Sequence, residues 1–240
     1  MTEESFLAAR AKAAAANEEW SRAELGEWVA VLDMGCAILE RCAKSVDDHL
    51  VTRGDSASAA EHAVSLLAML AESRAGSVCS LLLQGYPIDA GALLRGLLEI
   101  EAMQTLLAGD AESAERWYAN EEIKEREYLK AVTADDSTFG PAWGQLGTVV
   151  HPNRKAVINQ VDETGGGARL GAGGARRPEQ LFKLTVNFGV QVKREVRILE
   201  RVYEINWPDG VAGLITDFST RLHEMHTDVV RRWPGSETID

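Results

Sequence analysis

Apolar residues recur at helical spacing along most of the chain. Leu25, Trp28, Val29, Leu32, Cys36, Leu39 and Val46 predict a long helix from Trp20 to about Leu50, and Gly54, Asp55 and Ser56 supply the turn that stops it. Ser58 followed by Glu61 reads as a capping box, and Val64, Leu67, Leu70, Val78, Leu81 and Leu82 carry the second helix to Gly85. Pro87 opens a third helix that runs to Leu107. It is apolar on several sides, so it belongs at the centre. From Asp110 to Val132 the pattern turns polar, with Glu112/Arg116 and Glu122/Arg126 at i,i+4, while Trp117, Tyr118, Tyr128 and Leu129 give the segment a docking face outside the central helix.

A polar loop over 133–141 leads to a short apolar helix from Trp143, which Pro152 ends. Pro178 starts a helix with the stripe Leu181, Leu184, Phe188, Val192, Leu199 and Val202. The last helix carries Val211, Leu214, Ile215, Phe218, Leu222, Met225 and Val229 and ends before Pro234. Between the short helix and Pro178, β-branched residues give way to Gly165, Gly166, Gly167, Gly171, Gly173 and Gly174, which predicts a small hairpin or flap over 155–175. The Ala-rich start, residues 3–16, is a fair helix by propensity with little to bury, so residues 1–18 are free to fray. These elements predict one all-α domain over 1–240, a bundle of about six or seven helices with a Gly-rich insertion at 153–177.

Composition refines this picture. Of the 240 residues, 45% are hydrophobic and 26% charged, the balance of a soluble globular chain. The start carries Glu3 and Glu4 where an export signal carries Lys or Arg, and the sequence alone suggests no membrane span. Cys36, Cys42 and Cys79 are odd in number and lie within apolar helical patterns, which predicts free, mostly buried thiols in a reducing cytoplasm, with neither disulfides nor a zinc finger. The formal net charge is −12, yet residues 153–201 hold ten Lys or Arg against five Asp or Glu. An acidic body repels duplex DNA, while a local basic stripe of Lys155, Arg194, Arg197 and Arg201 is a candidate anion-binding surface; internal pairing with the acidic helices is the alternative.

Candidate chemistry is sparse. His223 and His226 are close enough to share a metal, but no third ligand is evident, and the spacing suits one solvated and one packed imidazole. Arg221 and His226 match the short Arg-x4-His pattern of HEPN ribonucleases, although five helical steps put them on opposite flanks of the apolar stripe. Arg95 and Glu99 sit one turn apart on the leucine-rich third helix, a spacing for a partly buried ion pair. Glu101 projects into the leucine face and must find an Arg or His on a neighbouring helix. His151 ends the short helix and is followed by Pro152, Asn153, Arg154 and Lys155, a polar corner ahead of the glycines that could approach a phosphate. Neither phosphate-loop glycine motif is present, and there is no Gly-x-Ser-x-Gly elbow.

The runs from Ser80 to Ile100, with its LLRGLLE core, from Ala114 to Ala119, and from Leu146 to Arg154, with its HP step, resemble a large uncharacterised bacterial family of helical proteins over about residues 75–200. Carried over by position, the resemblance implies a polar cluster of Arg95, Glu99 and His151, with Asn153 and Arg154 beside it. Its loose link to abortive-infection and HEPN-like proteins implies RNA or nucleotide chemistry. Gln145, Leu146 and Gly147 stand where an Arg four to six residues before His151 would be, and there the chain departs from the ribonuclease pattern. The expectation is a cytoplasmic, non-catalytic binding or self-associating bundle that forms a homo-oligomer through an amphipathic helix face and needs no cofactor. The alternatives are an RNA- or nucleotide-directed effector of HEPN-like type and a metal-binding helical enzyme.

Overall fold

Helices account for nearly all of the computed structural model, which describes residues 5–150, 161–162, 169–170 and 178–232. In chain order they are α1 (Phe6–Glu24), α2 (Gly26–Arg53), α3 (Ala59–Leu83), α4 (Pro87–Gly109), α5 (Ala111–Tyr118), α6 (Glu125–Asp135), α7 (Phe139–Val150), α8 (Pro178–Tyr203) and α9 (Asp209–Arg232). The all-α bundle is as expected, with α4 at its centre. It packs against α3, α5, α6, α7 and α8, and α2 seals the other side of α3 and α8. Ala90, Leu94, Leu98, Ala102 and Leu107 of α4 are fully buried, which explains why its apolar positions are spread around the helix rather than confined to one stripe.

Local chemistry sets most helix ends. Ser58 and Glu61 form the capping box at the start of α3, with Ser58 Oγ accepting from the Glu61 amide at 3.2 Å and Glu61 Oε2 accepting from the Ser58 amide at 2.7 Å. Pro87 occupies the first turn of α4, where its missing N–H costs nothing. Gly85, at φ 79°, makes the turn just before it.

Four boundaries differ from the sequence reading. α1 continues through Trp20 to Glu24, and the break before α2 falls at Leu25, φ −120° and ψ 24°, just ahead of Gly26. α1 is anchored by Trp20 against the core and by two polar contacts: Ser21 Oγ donates to the Leu83 carbonyl at 3.1 Å and Asn17 Nδ2 to that of Gln84 at 3.2 Å, so α1 satisfies carbonyls at the end of α3. The charged segment 110–132 is two helices, because Asn120 adopts φ 61° and turns the chain. Its ion pairs change accordingly. Arg116 meets Glu121 at 3.5 Å and Glu127 at 3.3 Å across the break, where continuous helix would have paired it with Glu112. The loop expected over 133–141 is short, with α6 running to Asp135 and α7 starting at Phe139; Pro141 lies in the first helical turn, which tolerates it.

Within 155–175 the described residues form one antiparallel step, Val161 opposite Leu170 and Asp162 opposite Arg169. By length and composition alone α3 is long and apolar enough to cross a membrane; its buried side packs on α2, α4 and α5.

Close helix approach depends on two glycines. A Cβ on Gly35 of α2 would stand 2.5 Å from Phe188 Cε1 of α8, and one on Gly189 would strike the Leu222 side chain of α9. Phe188 is fully buried and has nowhere to move. Gly35→Ala is expected to lower unfolding free energy by about 1–3 kcal/mol through overpacking. Gly213→Ala, on open helix surface, should raise it by about 0.5–1 kcal/mol, both read by urea denaturation. Equal effects at the two positions would contradict this packing.

Candidate functional site

Glu101 occupies the leucine face of α4 and is 5% exposed, so its carboxyl demands a partner. The partner is Arg194 of α8, the class of residue anticipated from the sequence. Arg194 Nη1 lies 3.6 Å from Glu101 Oε2, and Arg194 Nη2 reaches Asp136 Oδ2 at 2.8 Å and donates to Thr138 Oγ1. Asp136 and Thr138 form the turn between α6 and α7. There Asp136 Oδ1 accepts from both the amide and the hydroxyl of Thr138, each at 2.7 Å. One guanidinium therefore joins α4, α8 and the α6–α7 turn.

Charge in this group is balanced by protonation. Burial pushes the Glu101 carboxyl up to about 8, and Arg194 only partly opposes that rise. Burial works against Asp136 too, but hydrogen bonds from Thr138 and the charge of Arg194 hold it below the usual carboxylate range. At neutral pH the single positive charge faces one full negative charge, on Asp136, while Glu101 is mostly neutral. A second buried acid follows directly in sequence. Glu195 accepts from Gln104 Nε2 at 2.7 Å, and burial, opposed by that hydrogen bond, pushes it up to about 7. Gln104 is itself fully buried, and its Oε1 has no hydrogen-bond partner among the described residues.

Beside this network lies a cleft of about 540 Å³, lined by Lys193, Arg194, Arg197 and Arg201 together with Asp135 and Asp136. A neighbouring cleft of about 790 Å³ shares Thr105, Asp135 and Arg201 and extends to Arg53 and Glu61. Arg201 Nη1 donates to both carboxylate oxygens of Asp135, at 3.0 and 2.9 Å, and Arg53 meets Glu61 at 3.2 Å. Of the basic residues singled out from the sequence, Arg194 is buried, Arg201 is ion-paired and Arg197 is exposed; among the described residues Arg197 and its neighbour Lys193 are the cations that this cleft offers a ligand.

Arg95 and Glu99 occupy another side of α4. Their side chains meet at 3.7 Å, with Arg95 21% and Glu99 46% exposed, and the guanidinium stacks 4.3 Å over the Trp143 ring of α7. A Cβ on Gly147 would come within 2.9 Å of Arg95 Nη1, so the small residues of α7 make room for this cation. His151, Asn153, Arg154 and Lys155 lie outside the described residues. His223 is exposed and His226 half-buried on α9, and Arg221 pairs with Glu27 of α2 at 3.2 Å. Among the described residues no three His, Cys, Asp or Glu side chains gather around one point that could hold a metal ion.

Sequence reasoning missed the Asp136–Thr138 turn, since a polar loop residue carries no sign of the buried guanidinium it serves. It also missed the Gln104–Glu195 contact, although an amide in a leucine-rich helix was a visible signal. Fold and site together define an all-α bundle with a buried ion network and an ion-lined cleft. No protein-family model matches the chain, and neither a curated protein nor a solved structure shows detectable similarity to it.

Glu195 is protonated in the fold at pH values where it is ionised in the unfolded chain. The folded state then binds more protons, so stability falls as pH rises from about 4.5 through 7. Glu195→Gln should remove a loss of about 3 kcal/mol over that window, lessening the pH dependence of chemical denaturation while the contribution of Glu101 over an overlapping range persists. An unchanged slope in the variant would mean that Glu195 does not titrate there.

Proposed function

We propose that this is a non-catalytic helical-bundle protein that acts by association, its first partner being a second copy of itself through α3. The observation that carries the reading is the outer face of α3. From Leu66 to Ser80 every exposed position, namely Leu66, Met69, Leu70, Ser73, Gly76, Ser77 and Ser80, is uncharged, in a chain that is 26% charged. Leu66 is 51%, Met69 46% and Leu70 42% exposed. A solvent-facing helix surface ordinarily carries charge, and the apolar cluster of Leu66, Met69 and Leu70, continued by small Ser and Gly residues and flanked by half-buried Glu72 and Arg74, marks an interaction site.

The order of side chains along the strip favours a copy of the same chain as occupant. A two-fold axis through Ser73 sets antiparallel partners at Leu66 with Ser80, Met69 with Ser77, and Leu70 with Gly76, so each bulky residue meets a small one. Bulky-to-small pairing lets two helices interlock without a gap. At about 22 Å long the face is at the small end of specific interfaces, which fits a dissociation constant on the order of 10 μM. Size-exclusion chromatography with light scattering should show the mass rising towards a dimer with concentration. Leu70→Glu should return it to a monomer with its helical circular dichroism intact. A monomeric parent at several hundred μM, about tenfold or more above that constant, sinks the reading.

The alternative reading, an RNA- or nucleotide-directed effector, has one observation in its favour, the placement of Lys193 and Arg197 along the cleft beside Arg194. It requires binding that weakens steeply with salt. Filter binding of single-stranded RNA at low ionic strength, compared between the parent and a Lys193→Glu, Arg197→Glu variant, tests it; retention by neither protein eliminates this site.

A further inference from the structure

Cys36 of α2 and Cys79 of α3 are 43 residues apart in sequence, yet their sulfurs lie 3.1 Å from each other in the helix–helix contact. A disulfide bond of about 2.05 Å is reached by roughly 1 Å of further approach, within the play of two thiol rotamers on adjacent helices. The two sulfurs differ in surroundings. Cys36 is half-buried, open enough for a small oxidant, whereas Cys79 is 7% exposed and also lies 3.8 Å from the Leu32 carbonyl.

We propose that Cys36 and Cys79 form an oxidisable dithiol, in which a hydroperoxide attacks at Cys36 and Cys79 closes an intramolecular disulfide that ties α2 to α3. The Cys36 thiolate sulfur attacks the distal peroxide oxygen, the O–O bond breaks, and the leaving alkoxide takes a proton to become an alcohol. Cys36 is now a sulfenic acid, oxidised by two electrons at the expense of the peroxide. The Cys79 sulfur then attacks the Cys36 sulfur, the S–O bond breaks, and hydroxide departs with the Cys79 proton as water. In sum, two thiols and one hydroperoxide give a disulfide, an alcohol and water.

Electrostatics assigns the same roles. The hydrogen bond from Cys79 lowers the Cys36 thiol below its usual range, against the opposing effects of burial and of Asp33 and Glu72. Cys79 is raised by that shared hydrogen bond and by burial, so it keeps the proton. Cys42 is the internal control. It is fully buried, and burial, with Glu195 and Glu200, pushes its thiol up to about 12.

The experiment exposes the folded, reduced protein to hydrogen peroxide, blocks remaining thiols under denaturing conditions, and reads intact mass and linked peptides. The expected product has lost two hydrogens, retains a single alkylatable thiol at Cys42, and yields a peptide pair joined through Cys36 and Cys79. Cys42→Ser should behave as the parent, and Cys36→Ser should form no such cross-link. Cys79→Ser should leave a Cys36 sulfenic acid that a cyclic 1,3-dione traps. No Cys36–Cys79 linkage in the peroxide-treated parent, or linkage only between separate chains, would overturn the proposal.

Discussion

A carboxylate placed in the leucine face of α4 constrains the whole molecule. Glu101 is almost wholly withdrawn from water, so the fold must deliver either a cation or a proton to it. It delivers both. Arg194 arrives from α8, and burial keeps Glu101 mostly protonated, so Asp136 becomes the counter-charge that holds the guanidinium. Asp136 and Thr138 make the α6–α7 turn, so the contacts that answer one acid in the central helix also tie that turn to α4 and α8. Glu195, adjacent to Arg194 in sequence, meets Gln104 one turn along α4, so polar contacts between α4 and α8 alternate with leucine packing.

The same network accounts for the uneven charge of the chain. Basic residues of α8 lie against acidic residues of α4 and the α6–α7 region: Arg194 with Glu101 and Asp136, and Arg201 with Asp135. Much of the described basic stripe is thereby used inside the molecule. What remains for the outside is polarised in the other sense, a strip of α3 without charge on a strongly acidic protein. Acidic bodies repel at a distance, so the proposed contact between copies would depend on short-range packing of that strip and strengthen with added salt, the reverse of nucleic-acid binding.

Much of the architecture is legible in the amino-acid order. The stripes of α8 and α9, the capping box at Ser58, the start of α4 at Pro87 and the need of Glu101 for a cationic partner all follow from spacing and from the energetics of burial. The break at Asn120 is less visible, because a left-handed residue inside a charged, helix-favouring stretch depends on the Arg116 contacts with Glu121 and Glu127 that form only after the chain turns. The end of α1 is similar. Ser21 and Asn17 read as ordinary surface residues until the exposed carbonyls of Leu83 and Gln84 come to meet them. Arg95 and Glu99 pair as their spacing implies, but the Trp143 ring under the guanidinium belongs to a helix more than forty residues away.

Local order along the chain thus determined which segments are helices, which faces are apolar and which ionisable groups are too deep to stand alone. Helical periodicity and desolvation are properties of neighbouring residues, and they act before any long-range contact forms. Tertiary packing alone decided which arginine serves Glu101, which carboxyl keeps its proton, and that two thiols from separate helices share one contact. Those outcomes depend on distances between segments remote in sequence, and on the dielectric surroundings that only the assembled core creates.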